Sequence, residues 1–255
     1  MRFYLYEAYS LWRRDMLSFS RQKDRLIGYS FAPLFLLAFI GLGFKNQIYF
    51  PEMKNIDYLS FLTPGMVAMT LLTASNSTSF LMLWDREMGF LKEIMVTPSS
   101  RIGIILGRTA SGVTVAIFQS FIILFGGIVM GSRFHRPEGM LISLIFMALI
   151  ASAFIGLGLS LASFKKETYG FSLVLNFILY PFLFLSGALY PVDRLPSLVA
   201  PLSYYNPLTY GIDGLRYSLL GVSSFSPALD LGVMAASCLA MLGLGTYLFE
   251  KGEWD

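Results

Sequence analysis

The chain has 255 residues, 55% of them hydrophobic and 14% charged, with a net charge of +3 and a mean hydropathy of +0.63. A soluble domain carries roughly a quarter charged residues, so this composition excludes one and places the chain in a membrane. The few basic residues are scattered among short connections rather than gathered in a patch, which excludes nucleic acid as a partner.

In chain order, the first feature is residues 1–25, MRFYLYEAYSLWRRDMLSFSRQKDR. Leu5, Tyr9, Trp12, Met16 and Phe19 recur at alternating steps of four and three, giving one apolar helix face, with Glu7, Ser10, Arg14 and Arg21 largely opposite. Such a helix is expected to lie in the plane of the cytoplasmic membrane interface rather than cross it. Tyr9, Trp12, Arg13 and Arg14 are its candidate functional residues, and two roles fit them: a passive anchor, or the lining or gate of a substrate entrance.

A span needs about 20 mostly apolar residues. Six runs qualify: Leu26 to Phe44, Leu59 to Leu83, Ile102 to Met130, Met140 to Phe164, Tyr169 to Leu189 and Ala228 to Phe249. The first lies too far from Met1, behind too much mixed charge, to be a cleaved signal, and it counts as a span. None carries Asp, Glu, Lys or His well inside it. Arg108, about two turns into the third run, is the ionisable intruder and is expected to snorkel towards the nearer membrane face. Small and hydroxylated residues, such as Ser75, Thr78, Gly112 and Gly127, point to close helix packing.

Between the second and third runs lies WDREMGFLKEIMVTP, residues 84–98. Trp84, Met88, Leu91 and Met95 form an apolar stripe, Asp85 is placed to cap the start, and Thr97-Pro98 ends the helix. Arg86, Glu87, Lys92 and Glu93 face the other way, and Gly89 leaves room for another backbone. This short amphipathic helix is either a docking element for a partner or an interfacial connector. After the fifth run, residues 190–226 are rich in Pro and Tyr. Leu208, Ile212, Leu215 and Leu219 share a face, on a segment too short to cross, so a re-entrant pair of short helices is expected. Asp213 and Arg216, at i and i+3, are expected to pair locally.

The loops assign orientation. With the N-terminus inside, twelve basic residues face the cytoplasm and six face outward, and the positive-inside rule selects cytoplasmic termini in a cell or inner membrane. The lone Cys238 cannot form an internal disulfide, and the lone His135 has no companions at metal-ligand spacing, so no metal is expected. The fold class is therefore all-α, one six-span membrane domain over residues 1–255.

Two stretches carry a resemblance. DREMGFLKEIMVTPSSR, with its Glu87-x-Gly89 step, Lys92-Glu93 and Val96-Thr97-Pro98, resembles the coupling-helix region of type-2 ABC exporter permeases, the family of nodulation-factor, drug and O-antigen or teichoic-acid exporters. LSGALYP…LP…YYNPLTYGIDGLR is similar to that family's signature after the fifth span, through Ser186-Gly187, Tyr190-Pro191, Leu195-Pro196, Asn206-Pro207-Leu208 and the Tyr210 to Arg216 spacing. Phe90 and Phe182 depart from the usual smaller residues. The resemblance covers essentially the whole chain. It implies a permease half, paired with a second copy of itself or a sister permease and powered by separate ABC ATPase subunits that hold ATP and Mg. No Gly-x-x-x-x-Gly-Lys-Ser/Thr phosphate loop occurs in the chain, so no cofactor and no hydrolysis are expected here. The cargo implied is amphipathic or lipid-linked: a drug, glycolipid or polysaccharide. An ATP-independent channel or carrier is the rival reading. A membrane enzyme would need nucleophile and acid/base groups at one depth, and no such set can be assembled.

Overall fold

In the computed structural model the described residues are 2–21, 23–45, 47–48, 56–89, 101–164, 168 and 170–251, and they form helices and turns without strands. The helices are α1 (Arg2–Arg21), α2 (Lys23–Leu36, continued by a π-helical turn over Leu37–Gly41), α3 (Tyr58–Glu87), α4 (Arg101–Val129) and α5 (Met140–Phe164), then α6 (Phe171–Leu185), α7 (Ala200–Tyr205), α8 (Pro207–Leu220) and α9 (Pro227–Lys251).

All six apolar runs are helical, but only α3, α4, α5 and α9 are long and apolar enough to cross a membrane by length and composition. The first and fifth runs hold shorter apolar helices, Gly28–Gly41 and Phe171–Leu185. Fifteen residues in α6 rise about 22 Å, less than the roughly 30 Å of hydrocarbon. Its end is set by the turn at Ser186-Gly187, where Gly187 takes a φ of +74°.

Helix α3 is the axis of the bundle. Every residue from Tyr58 to Leu72 is buried, as expected of a helix that is apolar or small on all sides. It packs on α4 and α5, while α9 packs most extensively on α5. That last seam depends on backbone approach: a Cβ on Gly245 would lie 2.6 Å from the Gly156 carbonyl oxygen. Outward side chains on the long helices include Phe125, Leu141 and Leu239, between 68% and 75% exposed, an apolar coat suited to lipid.

Two local expectations are corrected. Asp85 does not cap a new helix, because α3 runs on through Glu87 and stops at the Met88-Gly89 turn. Trp84, Arg86 and Glu87 all tolerate helix, and the first strong terminator is Gly89, whose φ is +75°. Helix α1 is amphipathic, but it runs alongside α4 rather than apart from the bundle. A Cβ on Gly107 would sit 2.8 Å from the Ala8 carbonyl, Trp12 Nε1 donates to Thr114 Oγ1 at 3.1 Å, and Phe19 meets Phe118 edge-on at 6.4 Å. The two sequences ascend together, so α1 is inclined along α4 over three turns instead of lying across it.

Candidate functional site

The end of the bundle where α3 stops and α4 starts gathers its charge into one cluster. Arg108 is 5% exposed on α4, and its Nη1 donates to Asp15 Oδ2 of α1 at 3.1 Å while its Nη2 pairs with Asp85 Oδ2 of α3. Arg14 Nη2 bridges the same two carboxylates, at 2.8 Å to Asp15 and 3.3 Å to Asp85. Ser111 Oγ donates to Asp15 at 2.9 Å. Arg108 therefore does not snorkel. A buried guanidinium needs counter-charges, and two helices supply them. The cluster ties α1, α3 and α4 together within one turn of the place where α3 leaves the helix.

Of the residues expected to dock a partner, Asp85 is spent inside this cluster. Glu87 is exposed, and its Oε1 accepts from the Thr168 amide at 2.9 Å, fastening the end of α3 to the connection between α5 and α6. Among the described residues nothing stands within 4 Å of a Cβ built on Gly89, and its left-handed φ is a further reason for glycine. Met88 is 61% exposed and Trp84 44%. Lys92, Glu93, Thr97 and Pro98 lie outside the described residues, as does most of the 84–98 helix. In α1, Tyr9 and Arg13 are exposed, while Trp12 is half-buried and stacks on Tyr9 at 5.8 Å.

Under the cluster, between α1, α2, α3 and α4, lies a cavity of about 530 Å³. Its walls carry the aromatic rings of Phe19, Tyr29 and Trp84 and, at its deep end, Gln119. Gln119 is fully buried, and neither its Oε1 nor its Nε2 has a partner among the described residues.

The other signature forms a fastened cap at the opposite end. Asn206 accepts from Leu208 N at 3.0 Å and donates to Phe182 O at 2.6 Å, which caps α8, while Pro207 supplies its first turn. The face of Leu208, Ile212, Leu215 and Leu219 is buried. Tyr190 OH donates to Phe184 O and Tyr210 OH to Tyr204 O, at 2.9 and 2.8 Å. Pro191 is buried. The expected Asp213–Arg216 ion pair is not among the salt bridges of the described residues. Arg216 Nη2 donates instead to the Gly187 carbonyl at 2.5 Å, with its guanidinium 3.8 Å above the Phe61 ring, and Asp213 accepts from the amides of Ser224 and Phe225 at 2.9 Å. Carbonyls left open by the Gly187 turn and amides left open after α8 compete successfully with a one-turn side-chain pair.

Sequence reasoning missed Asp15, Gln119 and Asp230. Asp15 could have been sought as the counter-ion that Arg108 demands. Asp230, in the first turn of α9, is fully buried beside Asp213. Gln119 gave no signal, since it looks like one polar residue in an apolar run.

Comparison with known proteins is consistent along the chain. The ABC-2 type transporter family matches residues 6–220. The ycf38 transport permease of Cyanophora paradoxa is 28% identical, with 98% of this chain aligned to 89% of that one. Nodulation protein J of Rhizobium leguminosarum bv. trifolii is 27% identical over 95% of this chain and 92% of its own. The inner membrane transport permease YadH of Escherichia coli K12 is 25% identical over 99% and 98%.

Proposed function

The chain belongs to the ABC-2 type transporter family and is a membrane subunit of an ABC transporter, and on that footing we propose that it is an exporter permease driven by separate ATPase subunits docked where α3 gives way to α4. Its spans are α2 with its π turn, α3, α4, α5, α6 and α9, with both termini cytoplasmic and residues 190–226 re-entrant from the outer side. Two copies form the path. The cargo is amphipathic or lipid-linked, as suits a bundle whose Arg14, Asp15, Asp85 and Arg108 charges are paired with one another beside the cavity.

The observation that carries this reading is the ionic cluster. Asp85 stands two residues before the end of α3 and is paired to α1 and α4, so a push on residues 84–98 moves three helices together. The charge pairs are discrete contacts that can be kept or broken as a unit, as a rigid-element relay requires.

The test is to purify the tagged chain from its native membranes and to measure ATP hydrolysis and transport in proteoliposomes. An ATP-binding subunit in equal stoichiometry, and transport only in its presence, is the expected result. Transport by the chain alone would overturn the proposal in favour of a carrier.

A further inference from the structure

We propose that the cavity between α1, α2, α3 and α4 binds the uncharged, hydroxyl- or carboxamide-bearing headgroup of an amphipathic molecule, and that Gln119 is the residue that reads it. This rests on the exporter reading above and gives its cargo a chemical class.

The first support is the unsatisfied amide. Gln119 is fully buried with both polar atoms unpartnered, whereas the buried Asn76 leaves only its Oδ1 without a partner and donates its amino group to Asn176 Oδ1 at 2.7 Å and to Ser172 Oγ at 3.3 Å. A buried amide without hydrogen bonds is costly unless a ligand supplies them. Its partners in the wall match a neutral group. The hydroxyls of Ser77 and Thr78 already donate to Thr73 O and Ala74 O, which leaves their lone pairs to accept. Among the described residues, the wall from Gly112 to Gln119 thus offers donors and acceptors and no charge.

The second support is the mouth. Two arginines and two aspartates there neutralise one another, so an ionic headgroup would have to break existing pairs to gain a counter-ion. From Arg108 to Gln119 the wall of α4 rises about 16 Å, roughly half the hydrocarbon thickness. A polar headgroup on that path is shielded from lipid by the aromatic walls while its tail stays in the bilayer. About 530 Å³ suits one sugar-sized or drug-sized group.

Trp84 in the wall is a built-in reporter. With Trp12→Phe and Trp254→Phe as background, it is the one tryptophan left of three. The full chain, with its co-purifying subunits in lipid nanodiscs, is titrated with a bromoalkyl glucoside, a bromoalkyl phosphate and a bromoalkyl trimethylammonium of equal chain length. Saturable quenching by the glucoside alone is expected. Gln119→Leu should weaken its apparent affinity at least about tenfold while raising the thermal midpoint, because one unpaired amide is gone. Ser77→Ala, at a half-buried position, should weaken it several-fold without unfolding the protein. Equal saturation by all three probes, or unchanged glucoside affinity in Gln119→Leu, would overturn the assignment, as would displacement of the glucoside by free glucose, since the tail would then be irrelevant. ATP hydrolysis measured on the same samples separates this failure from failure of the exporter reading.

Discussion

Arg108 joins three helices, because it is buried on α4 and held by carboxylates from two other helices. Arg108→Met keeps the apolar stem and removes the charge, leaving Asp15 and Asp85 with the partly exposed Arg14 as their one described counter-charge. The expected loss is about 3 kcal/mol, read as a fall in the thermal midpoint in detergent. Arg14→Ala should cost less than about 1 kcal/mol, since its side chain is 36% exposed. Adding Asp85→Leu to Arg108→Met should recover part of the loss, and a double mutant less stable than Arg108→Met would argue against the pairing. Gly89 is a different case, because its φ of +75° and the lack of described neighbours around its Cβ position both bear on substitution. Gly89→Asn tolerates the left-handed backbone and adds a polar side chain, whereas Gly89→Leu adds strain as well. If Gly89 serves docking, both variants should lose the ATPase; if it serves only the turn, Gly89→Asn should keep it.

Among the elements, the α5–α9 seam is the one whose closeness can be tested by a single atom's worth of volume. Gly245→Leu has no room, as even its Cβ would meet the Gly156 carbonyl, and α9 should separate from α5 with a drop of several degrees in thermal midpoint. Gly232→Ala on the same helix meets nothing within 4 Å and should be neutral. The helices themselves were legible in the sequence because a membrane span announces itself by length and apolarity, without needing a face. Their ends and mutual placement were harder. The end of α3 slipped by several residues because Trp84 to Glu87 are all acceptable in a helix. The docking of α1 on α4 depends on Gly107, which nothing in the sequence distinguishes from the other glycines among 23. The α8 face was readable from Leu208, Ile212, Leu215 and Leu219 alone. The Arg216 contacts were not, because they depend on carbonyls that only the Gly187 turn brings within reach.

At the scale of the whole molecule, the two ends of the bundle have opposite characters. The signature after α6 is closed on itself through Asn206, Tyr210 and Arg216, a rigid cap, while the end near Gly89 joins three helices by ion pairs around a cavity. That division suits the proposed exporter, in which the Gly89 end would receive the push and the cap would be the fixed end that the spans pivot against. In the proposed exporter the push arrives at the end of α3. The most direct measurement places a photo-crosslinking amino acid at Met88, 61% exposed at that end, and at Val129, 70% exposed at the far end of α4, in the complex in native membranes. An ATP-binding subunit should be cross-linked at Met88 and none at Val129. Cross-links at Val129 but not at Met88, with transport intact, would contradict it.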